Sequence, residues 1–314
     1  MSAMKLQTLK DQFSAGNLTK ADFIRQALDV HRHLFDYVDI TGSTDVHEIS
    51  ITPEGVSFVV GKERIRLFAP AEEARVAPIE VMNFGSYEPE ETWVIDLLSN
   101  GARNILDVGA NIGWYSLRFA KRLPEAHIHA FEPMPTSYAF LQKNVATNGF
   151  DQQVTCYNYG LSETCGSFEF FISPSNGTNA SLLNVAAAED ANAVIGLTLT
   201  MDQWVANQQI NPDFIKCDVE GAELLVFRGG LETLRRNQPI VFSELLRKWS
   251  KPFGYHPNDM LGLFRELGYR CYAVGSAGVR RIEEVVDETS ETNFAFVHTK
   301  AHQAAISVLE SLKL

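Results

Sequence analysis

The stretch NILDVGANIGWYSLRF, residues 104–119, decides the fold of this 314-residue chain. Its first residues, NILDVG, predict a buried β-strand, and the residues from Trp114 onward predict a helix. The turn between them runs from Gly109 to Gly113, and a strand that enters a helix through such a turn is typical of nucleotide-binding α/β proteins. We therefore expect a ligand at the carboxyl end of this strand.

Alternating strand-like and helix-like segments continue after this stretch. The predicted strands are HIHAFE (127–132), VTCYNYG (154–160), FIKCDVE (214–220), PIVFSEL (239–245), YRCYAVG (269–275) and NFAFVHT (293–299), and helices are predicted over 136–147, 222–236 and 257–267. SFEFFIS (167–173) is predicted as an added strand. This alternation indicates an α/β fold, with a doubly wound, mostly parallel sheet and helices on both faces.

Residues 1–80 follow a different pattern, and we predict that they form an extension to a main domain over residues 81–314. Apolar residues at helical spacing predict helix within residues 1–40, and EISI, VSFVV and RIRLF predict a small β unit. We find no chemical motif in this part. Three roles stay open for it: packing on the main domain, binding substrate, or forming a homo-oligomer.

Composition and charge narrow the possible partners and the compartment. The formal net charge of −12 disfavours nucleic acid, because binding to it depends on Lys and Arg that neutralise phosphates. The four cysteines form no CxxC pair, which favours a reducing compartment. The N-terminus lacks the apolar region of a signal peptide, and no apolar run reaches the length of a membrane span. We expect a cytoplasmic protein without a membrane span.

The turn and the next strand indicate which nucleotide is bound. The dinucleotide pattern G-x-G-x-x-G needs a middle glycine, which is missing here, and Asn111 stands next to its place. Glu132 ends the second strand and can accept both hydroxyls of a ribose. Asp107 precedes the turn and either holds the amino group of an amino-acid tail or braces the loop. A ligand with a ribose, an amino-acid tail and no phosphate is S-adenosyl-L-methionine, and we expect it as the cofactor.

Three segments carry a resemblance to a known family. LDVGANIGWYS, FEPMPTSYAFLQKNV and FIKCDVEGAELLVFRGG resemble the FkbM family of S-adenosylmethionine-dependent methyltransferases, and the run D-V-E-G-A-E is the most specific of these signals. The resemblance implies a seven-stranded Rossmann-like methyltransferase sheet and methyl transfer to a hydroxyl of a sugar, a polyketide or a related metabolite. One departure is Gly160-Leu-Ser, where members often carry Ala-Leu-Ser.

The resemblance also implies where the cofactor is bound. The methionine part lies along the turn, the ribose lies at Glu132, and the adenine lies near Gly160 and Leu161. Residues ahead of the first strand are candidates for covering the cofactor. The expected cofactor-binding residues are Tyr87, Glu88, Asp107, Gly109, Ala110, Asn111, Gly113, Glu132, Pro133, Gly160, Leu161 and Asp218.

Methyl transfer to a hydroxyl needs a base or a metal ion, because the hydroxyl is a weak acid. Asp218 and Glu220 follow the fourth strand, at the sheet edge where open α/β proteins bind ligands, and Lys216 points to the same side as Asp218. His256, in the loop FGYHP, is a further candidate base because the pKa of histidine lies near neutrality. We predict these four residues as catalytic.

A metal site is the alternative to base catalysis at the same acids. Asp218, Glu220 and Glu244 would supply oxygen ligands for a divalent cation. We favour the base and expect no metal. Glu223 either joins these acids or caps the following helix. The Ser-, Asn- and Gly-rich residues 173–184 are predicted to close over the acceptor.

Other functional classes remain as rivals to O-methyl transfer. An NAD-dependent oxidoreductase would need the missing G-x-G-x-x-G pattern. A methyltransferase acting on nitrogen or on a macromolecule is a second rival, although the acidic charge and the lack of an NPPY-type base pocket oppose nucleic acid. A third is a catalytically silent cofactor-binding or assembly subunit with the same fold.

Overall fold

The computed structural model of the chain describes residues 3–173, 177–181 and 192–312. Its N-terminal elements are α1 (Ala3–Ser14), α2 (Lys20–His31), α3 (His33–Ser43), β1 (Val46–Thr52), β2 (Gly55–Val60) and β3 (Ile65–Phe68). The helix α2 begins after Thr19, whose hydroxyl accepts a hydrogen bond from the main-chain N–H of Asp22. The strands β1, β2 and β3 form an antiparallel sheet in that order.

Two helices, α4 (Ala77–Phe84) and α5 (Pro89–Leu98), lead into the rest of the chain. The later strands are β4 (Asn104–Val108), β5 (His127–Phe131), β6 (Val154–Tyr157), β7 (Gly160–Leu161), β8 (Gly166–Ser173), β9 (Gly177–Ser181), β10 (Asn192–Leu199), β11 (Phe214–Cys217), β12 (Ile240–Glu244), β13 (Tyr269–Gly275), β14 (Gly278–Ile282) and β15 (Asn293–His298). The later helices are α6 (Trp114–Arg122), α7 (Pro135–Thr147), α8 (Met201–Gln208), α9 (Glu223–Arg228), α10 (Leu231–Asn237), α11 (Arg247–Ser250), α12 (Pro257–Glu266) and α13 (Gln303–Ser311), with a 3-10 turn at Lys251–Phe253.

The main sheet has the strand order β6-β5-β4-β11-β12-β15-β13-β14. The five strands from β6 to β12 are parallel, and β15, β13 and β14 pair antiparallel. The mostly parallel α/β fold predicted from the sequence is therefore confirmed, with eight strands in place of seven. The additional strand is β14, an edge strand in which only Val279 and Ile282 are buried, so that its apolar pattern is weak.

The predicted strand over residues 167–173 lies outside the main sheet. It corresponds to β8, which pairs antiparallel with β10 in a separate four-stranded sheet of order β7-β10-β8-β9. Of the predicted segment over 173–184, residues 174–176 and 182–184 lie outside the described residues. Its predicted closure over the acceptor therefore stays a prediction.

Apolar side chains form a core on each face of the main sheet. In β4, Ile105 belongs to the core that includes residues of α5, α6, α7 and α13, whereas Leu106 belongs to the core that includes residues of α8, α9, α10 and α12. This alternation is what a strand buried on both faces requires. The N-terminal sheet joins the first of these cores through Phe58 and Leu67, which lie in the same cluster as Trp114. The boundary at residue 80 stays a prediction, and α4 crosses it.

None of the helices in the described part of the chain is long and apolar enough to span a membrane.

Candidate active site

A cavity of about 520 Å³ opens at the carboxyl ends of β4, β5, β11 and β12. Each of these strands ends at a predicted site residue or just before one, and parallel strands bring those ends to one edge of the sheet. The predicted residues that line the cavity are Tyr87, Glu88, Gly109, Ala110, Asn111, Glu132, Pro133, Gly160, Leu161, Lys216, Asp218, Glu220 and Glu244. The structure thus brings together most of the predicted cofactor-binding and catalytic residues.

The backbone of the turn after β4 lies very close to the backbone of Asp218, which follows β11. Gly109 has a φ of 81°, and a β-carbon there would lie 1.8 Å from the main-chain oxygen of Asp218. Asn111 also adopts the left-handed conformation, with a φ of 50°, which asparagine tolerates better than most residues. Gly113 precedes α6 and packs against Leu141, and it does not line the cavity.

Glu132 is fixed at the end of β5 by two main-chain hydrogen bonds. Its carboxylate accepts from the N–H of Asn111 and from the N–H of Met134, both at 2.9 Å. Burial raises the pKa of Glu132 to about 7, against the effect of these two hydrogen bonds. A carboxylate held in this way keeps further lone pairs for a ligand in the cavity.

Asp107 lies behind the turn and does not line the cavity. It is fully buried, and its carboxylate accepts a hydrogen bond of 2.6 Å from the hydroxyl of Ser116. Its other oxygen lies 3.8 Å from the Lys216 ammonium. Of the two roles left open by the sequence, the bond from Ser116 fits bracing the loop. Direct contact of Asp107 with the cofactor stays a prediction, since its second oxygen is buried without a hydrogen-bond partner in the described part of the chain.

Lys216 joins the turn to the acids that follow β11. Its ammonium lies 3.2 Å from the main-chain oxygen of Gly109 and 3.4 Å from a carboxylate oxygen of Asp218. Burial opposes its charge, yet Asp218 and Asp107 raise the pKa of Lys216 above its ordinary value. Lys216 therefore stays charged and positions Asp218.

The surroundings of Glu220 and Glu244 favour the protonated form of each carboxyl group. Burial, followed by the charge of Asp218, raises the pKa of Glu220 to about 8 and that of Glu244 to about 10. Within the described residues, no three His, Cys, Asp or Glu side chains are grouped as ligands of a metal ion. The donor set predicted for a metal, Asp218 with these two acids, therefore does not have the arrangement of a cation site.

Tyr87 and Glu88 lie just before α5 and form part of the cavity wall. Glu88 has a φ of 43° and accepts a hydrogen bond of 2.5 Å from the hydroxyl of Tyr115. Burial raises the pKa of Glu88 to about 7. The ring of Tyr87 packs edge-on against Trp114, with the centroids 5.9 Å apart. Both predicted residues are therefore anchored to the start of α6.

Glu223 braces the loop between β11 and α9. Its carboxylate accepts from the main-chain N–H groups of Val219 and Gly221, at 3.1 and 3.0 Å, and from the hydroxyl of Tyr255 at 3.1 Å. These contacts hold the loop that carries Asp218 and Glu220. They are not the cap of α9 that the sequence left open, because they lie ahead of that helix, which has no side-chain cap hydrogen bond.

The prediction that His256 is a catalytic base disagrees with its position. His256 does not line the cavity. Its ring nitrogen accepts from the N–H of Asn258 at 3.2 Å, and its main-chain N–H donates to the carboxylate of Asp259 at 2.8 Å. The residue therefore caps α12 in a capping box and has a structural role.

Several cavity residues were not predicted from the sequence. Arg75, Glu80 and Phe84 lie in or just before α4 and line the cavity that also carries Glu220. Arg75 and Glu80 form an ion pair of 2.5 Å. Among the described residues that line the cavity, Arg75 and Lys216 are the two with positively charged side chains. No local motif marks these positions, because α4 is placed at the cavity by the shared core to which Ala77 and Val81 belong.

The fold and the cavity together define a class of protein. A mostly parallel sheet with the antiparallel strand β15 between β12 and β13, and a turn after β4 without the dinucleotide glycine, are those of a Rossmann-like methyltransferase. The chain belongs to the FkbM family, since the model of the methyltransferase FkbM domain matches residues 107–271. The resemblance predicted from the sequence is confirmed, and the chain is a methyltransferase.

Three curated proteins illustrate the similarity. Methyltransferase sdnD of Sordaria araneosa is 29% identical over 193 residues, which cover 52% of this chain and 73% of sdnD. The hexuronic acid methyltransferase AglP of Haloferax volcanii is 31% identical over 132 residues, 41% of this chain and 50% of AglP. The 2-O-methyltransferase NoeI of Sinorhizobium fredii is 28% identical over 163 residues, 47% of this chain and 65% of NoeI. The last two matches span less than two thirds of those proteins.

Proposed function

We propose that this chain is an S-adenosylmethionine-dependent O-methyltransferase that acts on a hydroxyl group of a small molecule or glycan. The observation that carries the proposal is the position of Glu132, a buried carboxylate that lines the cavity and is bonded to the ligand turn at Asn111. An acid at this point suits the two hydroxyls of a ribose, and the missing middle glycine suits a ligand without pyrophosphate.

The cavity fits this cofactor in size and in donor chemistry. Its volume of about 520 Å³ lies within the range of small-molecule sites. In the described part of the chain, the buried side-chain oxygen of Asn111 has no hydrogen-bond partner. We assign it to the ammonium of the methionine part. Gly160 and Leu161 would border the adenine, and Tyr87 with Glu88 would cover the cofactor. Asp107 and Gly113 act indirectly in this proposal, by holding the turn.

Asp218 is the group we assign as the general base. Burial and the charge of Asp218 raise the pKa of Glu220 to about 8 and that of Glu244 to about 10, which favours their protonated forms, and we assign both as hydrogen-bond donors. The carboxylate of Asp218 lies 3.4 Å from the Lys216 ammonium, which holds it in place on the cavity wall. We propose that Asp218 takes the proton of the acceptor hydroxyl and that Lys216 positions it.

The remaining chemistry is that of the bound methyl donor, which supplies a methyl group on a positively charged sulfur and departs as a neutral thioether. Glu220 and Glu244 line the same wall and would orient the acceptor through hydrogen bonds. Positioning of this kind is worth about 7–11 kcal/mol in well-oriented reactions.

The relatives support a sugar-like acceptor. AglP is named for a hexuronic acid and NoeI for a 2-O position, and both descriptions fit transfer to a carbohydrate oxygen. The protonated acids on the wall suit a ligand with several hydroxyl groups. We therefore propose a sugar, or a metabolite with neighbouring hydroxyls, as the acceptor class.

A product assay tests this proposal. The purified chain is incubated with S-adenosylmethionine and a set of neutral sugars, amino sugars, uronic acids and hydroxylated metabolites, and mass spectrometry detects transfer of one methyl group. We expect Asp218→Asn to lower kcat by about 10²–10⁴-fold, because a positioned base contributes that much, while cofactor binding is kept. Asp202→Asn, a change outside the cavity lining, is the control. Full activity of Asp218→Asn would contradict the assignment of the base.

A further inference from the structure

A second cavity lies on the other side of α4 from the candidate active site. It is a groove of about 890 Å³ between α3, the N-terminal sheet, α4 and α7. Ile79 and Met82 of α4 line this groove, whereas Ala77, Glu80 and Phe84 of the same helix line the active-site cavity. The one helix thus forms a wall of both cavities. The residues of the groove play no part in the function proposed above.

The groove is bordered by apolar side chains that are open to solvent. We call the six residues Leu34, Phe35, Tyr37, Val38, Ile51 and Val56 the N-terminal apolar face. Their exposed fractions range from 39% for Val56 to 72% for Phe35. All except Phe35 line the groove, and Phe35 lies one helical turn from Val38 on α3.

The area of this face is close to what a stable interface needs. If a fully exposed side chain of this size presents about 200 Å², the six exposed fractions amount to roughly 600–700 Å². The largest apolar patch of a typical monomer is about 300–600 Å², and a standard interface buries about 800 Å² on each partner. The half-buried Ile49 and Phe140 on the floor of the groove add to this area.

The same face carries both a ridge and a groove. α3 provides the ridge through Phe35 and Val38, and the groove lies directly beside it. A two-fold interface joins the same patch of two copies, so that a ridge next to a groove is the shape it requires. The charges agree with this arrangement, since the exposed Asp39 lies on the ridge helix α3 and Lys143 lies in the groove wall. Acidic and basic groups would meet across the two-fold axis.

We propose that the N-terminal apolar face is the interface of a homodimer, in which Phe35 of each copy enters the groove of the other. Lys143 is held in place for such a contact, because its ammonium donates to the main-chain oxygen of Glu54 at 2.7 Å and lies 3.6 Å from the centre of the Phe68 ring. The proposal gives the first 80 residues a role in assembly.

Analytical ultracentrifugation of the full chain over a wide concentration series tests the interface. We expect the wild type to sediment as a dimer. Phe35→Glu on the ridge and Ile51→Glu at the groove are each expected to weaken the dimer at least tenfold, because each buries a charge in an apolar contact. Ile195→Glu is the matched control, since Ile195 on β10 is 73% exposed, as Phe35 is at 72%. Circular dichroism and binding of S-adenosylmethionine check that the variants are folded.

The outcomes separate this interface from its alternatives. Dimerisation lost in both apolar-face variants and kept in Ile195→Glu supports the proposal. A wild type that sediments as a monomer at every concentration overturns it, as does a dimer that both variants retain. Because the readout is mass, a failure here leaves the proposed methyl transfer untouched.

Discussion

The two sides of the active-site cavity hold their carboxyl groups in different ways. On the turn side, residues 109–113 with Glu132, the acid is fixed by the main-chain N–H groups of Asn111 and Met134. The acid side is formed by Asp218, Glu220 and Glu244. There, burial and the neighbouring acids raise the pKa of Glu220 to about 8 and that of Glu244 to about 10. Recognition of a fixed ligand needs the first arrangement, whereas proton transfer and hydrogen-bond donation need the second.

Gly109→Ala should give the largest effect, because it breaks the turn side at its tightest point. The added β-carbon would lie 1.8 Å from the main-chain oxygen of Asp218, at a φ of 81°. We expect a loss of about 2–5 kcal/mol in the free energy of unfolding, from overpacking and left-handed backbone strain together. Urea denaturation measures it.

Gly101→Ala separates these two causes. Gly101 has nearly the same φ, 82°, and no atom of the described residues beyond its chain neighbours lies within 4 Å of the point where an added β-carbon would stand. Only the backbone strain of about 1–2 kcal/mol should remain there. Equal losses of stability in the two variants would show that the close approach to Asp218 adds nothing to the cost of Gly109→Ala.

Glu244→Gln, on the acid side, should have an intermediate effect, and it should raise the free energy of unfolding where Gly109→Ala lowers it. The folded-state pKa of Glu244 is about 10, above its ordinary value of 4.5, so that wild-type stability falls as pH rises from 4.5 towards 10. Glutamine does not titrate. The variant should therefore gain about 1–3 kcal/mol over the wild type at pH 7, and little below pH 4.5. Thermal unfolding across pH measures the gain, and the exposed Glu125→Gln is the control.

A gain that is the same at every pH would contradict the buried, protonated state of Glu244. Activity gives a second readout. If the carboxyl group orients the acceptor, the stabilised variant should have a higher KM for it, with cofactor binding unchanged.

His256→Ala should have the smallest effect and should leave both sides of the cavity intact. Loss of the cap of α12 is expected to lower the free energy of unfolding by about 0.5–2 kcal/mol, with kcat unchanged. Thr19→Ala, which removes the cap of α2, is the comparison. A large fall in kcat together with normal stability would return His256 to the candidate bases.

The sequence predicted the parts of the site that follow from the ends of strands. Glu132, Asp218 and Glu244 each end a strand or follow one, and parallel pairing in the sheet brings such residues together whatever the rest of the chain does. The strand pattern also predicted the main sheet, apart from the weakly apolar edge strand β14.

The parts of the site that the sequence did not predict are of two kinds. Some residues reach the cavity through packing with distant parts of the chain, and others have a local pattern that fits two roles equally well. Arg75 and Phe84 reach the cavity because the N-terminal sheet shares a core with α6, which no local pattern shows. The carboxylate of Asp107 contacts Ser116 of α6 and lies near Lys216 of β11, away from the cavity. The alternation of side chains along a strand does not by itself predict that orientation. For His256 a signal was present, since Pro257 and Asp259 are typical of the first turn of a helix.

Every role proposed for the cavity depends on the turn side binding S-adenosylmethionine through Glu132. Isothermal titration calorimetry of this cofactor into the wild type and Glu132→Ala, both checked for folding by circular dichroism, tests this dependence most directly. We expect micromolar binding to the wild type, the typical range for an enzyme ligand, and a loss of at least tenfold in the folded variant. Equal binding to both proteins, or no binding to the wild type, would contradict the role of Glu132.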